Sequence, residues 1–183
     1  MTLPTAYWGP KAWFERALRM SDTDCPQIEV YDSFPKQTLR NRCFILAPTG
    51  ERVMLTVPLR KVESKQLTRD VRISYQQHWQ HQHWQAILSA YGKSPFFDYY
   101  ADFIRPLYER EFGFLLDLND ATFMVAAALL KNEMPSAGQI PLGRTAEWMN
   151  ADTDSCWGDE ISILNDLFLF GPLALTEVRH ERY

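Results

Sequence analysis

Apolar and polar positions follow two periods along this chain, a helical one over residues 11–20 and again from residue 78, and a strand-like one between them. Trp13, Phe14, Ala17 and Leu18 recur at helical spacing, which predicts a short helix over Lys11 to Met20. Pro10 suits its start, because the first turn of a helix has no partner for the N–H that proline lacks. Ser21 to Pro26 breaks the pattern, and Gln27 to Tyr31 alternates with β-branched and aromatic residues, a strand that ends at Asp32. The clearest local unit runs from Arg42 to Pro58. Cys43 to Leu46 and Val53 to Val57 are strand-like, Pro48-Thr49-Gly50 supplies turn chemistry, and Pro58 closes the second strand of a hairpin because proline donates nothing to a ladder. Residues 60 to 70 are charged and loop-like, and Val71 to Tyr75 reads as one more strand.

From His78 the period is helical. Trp84, Ile87, Leu88 and Tyr91 fall on one stripe at ~100° per residue, with Gly92 at the C-terminal cap. A second helix runs from Asp98 to about Phe112 with an interruption near Pro106. A third is capped by Asn119 or Asp120 and carries Phe123 to Lys131. Met134 to Gly143, with two prolines and two glycines, is a loop, and a last helix lies near Glu160 to Phe168. Strands mixed with helices predict an α/β or α+β fold, a mixed sheet with a central hairpin packed by several helices, in one domain over residues 1–183. The order of the strands stays open.

Composition agrees with a globular chain: 183 residues, 46% hydrophobic and 23% charged, which excludes a disordered tail, a collagen-like fibre and a disulfide scaffold. Cys25, Cys43 and Cys156 form no CxxC pair, so free thiols in a reducing compartment are expected. No signal-peptide core opens the chain. The longest apolar run, Phe123 to Leu130, is short of the roughly 20 residues that span a bilayer. A soluble, cytoplasmic protein is the expectation.

Charge changes this picture. The net charge is −4, yet residues 36 to 72 hold nine Lys/Arg against Glu51, Glu63 and Asp70, a +6 block inside an acidic chain. Such a block is either a solvated face or a site for a phosphate or carboxylate.

Three constellations carry candidate chemistry. His78, His81 and His83 crowd one run, but helical geometry sends His83 away from the other two, and no Asp, Glu or Cys in the run completes a metal set. No metal is expected there. His78 and His81 read as solvent-side and His83 as flanking the buried stripe, with a general-base role open to it because imidazole titrates near neutrality. In the second constellation Asp32 and Lys36 precede Asn41-Arg42 at the hairpin entrance. It is either an oxyanion site, to which arginine offers a planar fork, or a turn in which Arg42 pairs with an acid such as Asp32. The third is the aromatic load, from Tyr7 and Trp8 to Tyr99 and Tyr100, which reads as core or as a stacking surface. P-loop, GxGxxG and GxSxG motifs are absent, as are RRM, KH, zinc-finger and helix-turn-helix patterns, so no cofactor is expected.

In order and spacing these pieces resemble the WbqC-like family, a group associated with bacterial surface-polysaccharide gene clusters. The resemblance is carried by Leu3-Pro4-Thr5-Ala6-Tyr7-Trp8-Gly9-Pro10 before Trp13-Phe14, by Asp32, Phe34, Lys36 and Asn41-Arg42-Cys43-Phe44-Ile45, and by Leu55-Thr56-Val57-Pro58. It continues through Trp79, His83-Trp84, Ile87 and Tyr91, then Pro95 to Tyr100, and ends at Ile161 to Phe168 with Gly171-Pro172. It implies a transferase of polysaccharide biosynthesis that passes an aminoacyl or acyl group to an amino sugar or nucleotide sugar. On the matching positions it implies Lys36, Asn41 and Arg42 for an anionic group of a phosphorylated or nucleotide-linked sugar. It further implies His83 as acid/base, Asp32 as an orienting or catalytic carboxylate, and Tyr91 as a pocket wall. The anion site thereby narrows to Lys36 and Arg42, and Arg60 to Arg72 read as solvated surface.

Two other classes stay beside this one. A non-catalytic protein could hold a polyanion such as nucleic acid on the basic hairpin, against which the pI of 5.6 counts. An interaction protein would present its aromatics to a partner.

Overall fold

The computed structural model describes residues 2–21, 27–35, 38–132 and 160–175. Within them, the mixed helix–strand pattern resolves into five helices and four short strands. The strands are β1 (Thr2–Pro4), β2 (Gln27–Glu29), β3 (Arg42–Leu46) and β4 (Arg52–Thr56). The helices are α1 (Lys11–Ser21), α2 (Trp79–Tyr91), α3 (Phe97–Ile104), α4 (Leu115–Leu130) and α5 (Ile163–Phe170). The pairings fall in two separate two-stranded sheets, β1 parallel to β2 and β3 antiparallel to β4. No helix among the described residues is long and apolar enough to cross a membrane.

The hairpin forms where its turn residues place it. Gly50 N–H donates to the Ala47 carbonyl at 2.8 Å, Ala47 N–H to Glu51 at 2.9 Å, and Gly50 takes φ +83°, the left-handed step that follows such a turn. Its register sets Arg42 opposite Thr56 and Cys43 opposite Leu55. β1 was not legible. Its three residues find their partner only across α1, at β2.

Residues 71–75 form no strand. Leu59 bridges Ile73 and Arg72 bridges Phe114 as isolated pairs, so the extended segment is pinned on both sides without a ladder. α4 starts at Leu115 rather than at Asn119 or Asp120, because Phe114 in extended conformation ends the preceding segment. Asn119 is instead buried inside the helix, where its amide donates to Thr5 Oγ1 at 3.0 Å and to the Arg40 carbonyl at 2.8 Å. The helix expected over 98–112 is α3 followed by a 3₁₀ turn over Arg105–Tyr108, with Pro106 at its start. The loop expected over 134–143 lies outside the described residues, as do Cys25 and Cys156.

The buried stripe of α2 is Trp79, His83, Ile87 and Tyr91, an i, i+4 series that keeps Ile87 and Tyr91 of the expected stripe and has Trp79 and His83 in place of Trp84 and Leu88. Leu88 is 41% exposed, and Trp84 is half-buried with its ring stacked on Phe97. Gly92 caps α2 in right-handed conformation, its N–H on the Leu88 carbonyl at 2.9 Å. Gly171 ends α5 at φ +58°, where an added Cβ would meet the Phe96 ring at 2.5 Å. α5 is stitched to the centre, with Ser162 N–H on the Phe44 carbonyl at 2.8 Å and Ile163 N–H on Gly9 at 3.0 Å. Ile45, Trp79, Ile87, Leu164 and Phe168 are among the side chains that fill the core between hairpin and helices.

The stripe has a direct check. Ile87→Ala should lower unfolding free energy by about 2–5 kcal/mol by opening a core cavity. Leu88→Ala should change it by no more than about 0.5 kcal/mol. Urea denaturation of both variants measures this, and equal losses would refute the assignment.

Candidate functional site

The hairpin entrance is built by residues that are neighbours in sequence but face different ways. Arg40 points inward and is 2% exposed. Its Nη1 pairs with Asp32 Oδ2 and donates to Thr68 Oγ1 at 2.9 Å. Thr68 Oγ1 in turn donates to Asp32 Oδ1 at 2.7 Å. β2 ends at Glu29, short of the strand expected to reach Tyr31, and Asp32, three residues beyond it, pairs with Arg40 and not with Arg42. A buried guanidinium needs such a carboxylate, because one left unpaired is far more costly than the pair itself. Asp32 is consumed in holding the segment after β2 and residues 66–70 together, which Phe34 N–H on the Gln66 carbonyl at 2.9 Å reinforces.

Asn41 and Arg42 come together at a cleft of about 600 Å³ that also involves Phe34, Leu59, Val62, Glu63, Ser64 and Lys65. Asn41 is fixed by its amide, which donates to the Val57 carbonyl at 3.1 Å, while Val57 N–H donates to the Asn41 carbonyl at 2.9 Å. Arg42 Nε is buried with no hydrogen-bond partner among the described residues. Thr56 Oγ1, on the residue paired with Arg42 across the hairpin, is likewise buried and unpartnered. Buried polar atoms without partners are uncommon in folded proteins, and among the described residues Arg40 Nε, Trp79 Nε1 and Asn119 Oδ1 share this state away from the cleft. Lys36 lies outside the described residues.

His83 and Tyr91 are elsewhere. Tyr91 accepts a hydrogen bond from Leu46 N–H at 3.1 Å at the far end of β3, about 13 Å along the strand from Arg42. Its ring stacks on Phe168, and burial raises its hydroxyl to about 12. It therefore does not line the Arg42 cleft.

His83 sits at one end of a buried hydrogen-bonded chain. Tyr7 Oη is 2.9 Å from His83 Nδ1 and 3.0 Å from Tyr108 Oη, and Trp8 Nε1–H donates to Tyr108 Oη at 2.9 Å. The imidazole also bonds the backbone of Thr56, an interaction that favours the protonated ring and so runs to the carbonyl. A carbonyl only accepts, so this bond takes the ring N–H and leaves Nδ1 as acceptor. With Nδ1 as the acceptor, the series runs from Trp8 to Tyr108, Tyr108 to Tyr7 and Tyr7 to His83. Burial lowers His83 to about 4, against which the Thr56 bond works only partly. At neutral pH the ring is uncharged with both nitrogens occupied. The acid/base role expected of it meets a side chain that touches Arg42's cross-strand neighbour rather than the cleft. Burial also raises the Tyr7 and Tyr108 hydroxyls and the Cys43 thiol, so all three stay protonated.

The basic block divides in the same way. Arg69 lies over the Tyr31 ring at 4.6 Å and Arg72 over Phe114 at 4.6 Å. Arg60, Lys61 and Lys65, read as solvated surface, line clefts. The sequence offered no signal for this, because the walls opposite them come from residues 41–42 and 74–76. Among the described residues no group of three or more His, Cys, Asp or Glu is placed to hold a metal ion.

The family model described as the WbqC-like protein family matches residues 21–154 of the chain. The chain belongs to the WbqC-like family. The match takes in β2, the hairpin, Asp32, Asn41, Arg42, His83 and Tyr91, while the resemblance read at residues 3–10 and 161–172 falls outside it. No curated protein and no solved structure matches the chain.

Two outcomes test the roles drawn here. Asp32→Asn should destabilise by about 3 kcal/mol, because it leaves the Arg40 charge buried without its counter-ion. Thermal and urea unfolding would show it, and an undiminished midpoint would free Asp32 from its structural part. For His83, the folded value is depressed below the ordinary 6.5, so its contribution is present above that value. It should fade by about 3 kcal/mol as pH falls from 6.5 to 4. His83→Gln keeps a donor and an acceptor but does not titrate, so its stability should fall less steeply over that window than the parent's.

Proposed function

We propose that this protein is a transferase of bacterial surface-polysaccharide biosynthesis whose Asn41–Arg42 cleft binds a phosphorylated or nucleotide-linked amino sugar. The observation that carries the reading is the Arg42 side chain in the wall of a cleft that also bears Lys65. A guanidinium offers paired N–H donors to a phosphate or carboxylate, and a cleft of about 600 Å³ is of ligand size. Family membership supports the reading independently.

The chemistry is acyl transfer. The sugar amine attacks the carbonyl of an activated acyl donor, the C–N bond forms, the donor's leaving group departs with its electron pair, and the proton lost by the nitrogen passes to that leaving group. Arg42 and Asn41 hold the acceptor's anionic group, with Lys36 as a further cation beside them in sequence. Asp32 and His83 are positioning residues on this reading. Asp32 fixes Arg40 on the inner side of the hairpin entrance, and His83 fixes the Thr56 carbonyl opposite Arg42.

Titration calorimetry with a hexose 1-phosphate tests the site. Arg42→Ala should weaken binding about 10- to 100-fold, the worth of a hydrogen bond to a charged group, with Arg42→Lys in between. Unchanged affinity in Arg42→Ala sinks the proposal. So does a parent protein that ignores the sugar phosphate but binds a single-stranded oligonucleotide with steep salt dependence, as a polyanion-binding protein would.

A further inference from the structure

A second cleft, of about 580 Å³, adjoins the first across Leu59, which lines both. Arg60 and Lys61 form one wall, with Ser74, Tyr75 and Gln76 on the other. The walls are tied together by Arg60 N–H on the Arg72 carbonyl at 2.9 Å and by Ser74 N–H on the Pro58 carbonyl at 2.8 Å. Between those bonds lies the Leu59–Ile73 bridge. Tyr75 is held as firmly. Its hydroxyl accepts from Phe112 N–H at 2.7 Å and donates to the Phe112 carbonyl at 3.2 Å. Its ring lies against Trp79 at 5.9 Å between centroids. A half-buried aromatic ring tethered at its hydroxyl cannot swing away, so it presents a fixed surface to the cleft.

The charges of the two clefts differ. The Leu59–Gln76 cleft has two cations and no acid, whereas the Asn41–Arg42 cleft has Arg42 and Lys65 beside Glu63. A ligand that fills both presents negative charge near Leu59 and Arg42, a planar group toward Tyr75 and a neutral polar group toward Glu63 and Ser64. We infer that the second cleft is a nucleoside diphosphate subsite. Its base packs on Tyr75 within reach of Ser74 and Gln76, its phosphates span Leu59 between Arg60–Lys61 and Arg42, and its sugar occupies the first cleft. The inference deepens the function proposed above and rests on it: among phosphorylated sugars, the nucleotide-linked ones are selected.

Calorimetry with uridine 5′-diphosphate, beside the hexose 1-phosphate titration, separates the two ideas. The parent should bind the diphosphate, and Tyr75→Leu should weaken that binding about tenfold or more, the usual loss when a base loses its aromatic platform. Arg60→Ala with Lys61→Ala should weaken it similarly and flatten its salt dependence, since fewer cations then meet phosphate. Hexose 1-phosphate binding should stay unchanged in all of these and fall only in Arg42→Ala. Because Tyr75 also anchors Phe112, Gln76→Ala, at an exposed position, serves as the fold-neutral variant and should cost several-fold in diphosphate affinity alone. A parent that fails to bind the diphosphate, or second-cleft variants that bind it as well as the parent, overturns the inference while the Arg42 site stands. Diphosphate binding that depends on Tyr75 and Arg60 but ignores Arg42 also overturns the inference, because the phosphates then do not reach the first cleft, while hexose 1-phosphate binding still decides the first-cleft reading.

Discussion

The hydrogen-bonded series from Trp8 through Tyr108, Tyr7 and His83 to the Thr56 carbonyl is the constraint on which the arrangement turns. Its members come from the segment before α1, the 3₁₀ turn after α3, helix α2 and strand β4, so it joins four parts of the fold at one buried place. A polar group taken out of water costs a few kcal/mol unless it is bonded, and here each group has one partner to give to and, where chemistry allows, one to take from. The series therefore has one consistent direction. Apolar packing would tolerate small slips among these elements, whereas a chain of directed bonds does not.

The same place holds backbone strain. Trp8 adopts φ 44°, a conformation that bulky residues seldom take and that costs on the order of 1–3 kcal/mol. The indole is fully buried and its N–H bonded, and Gly9 beside it approaches Ala6 and Trp13 so closely that an added Cβ would lie 2.9 Å from the Ala6 Cβ. Packing and hydrogen bonding together hold the strained turn, and it in turn aims Trp8 at Tyr108.

What could be read in the sequence was what depends on neighbours in sequence. The hairpin was legible because Pro48-Thr49-Gly50 specifies its own turn, and α1 and α3 because their periods are local. The inner face of α2 was legible at Ile87 and Tyr91 and missed at Trp79 and His83, since hydrophobic periodicity counts Leu88 as core and histidine as polar. Only Trp79-x3-His83-x3-Ile87-x3-Tyr91, read as an i, i+4 series with a satisfied imidazole in it, would have found the true stripe. Arg40 and Arg42 could not be told apart because both sit at the hairpin entrance on alternate positions. Thr68, which decides between them together with Asp32, lies 28 positions from Arg40. The second cleft was illegible for the same reason: Arg60–Lys61 looked like solvated charge until residues 74–76 were seen facing it.

The reach of the buried series along the chain has a consequence for biosynthesis. Tyr7 is separated from His83 by 76 positions and from Tyr108 by 101. During synthesis the Tyr7–Trp8 segment emerges well before either partner, at rates of about 5–20 residues per second. For those seconds its aromatic rings and polar tips have nowhere to go. Contacts of such sequence separation close late and slowly, after local units such as the hairpin have formed. A nascent chain of this protein thus carries its most demanding segment unpaired until Tyr108 has been made, and that interval is when it is most in need of protection from other chains.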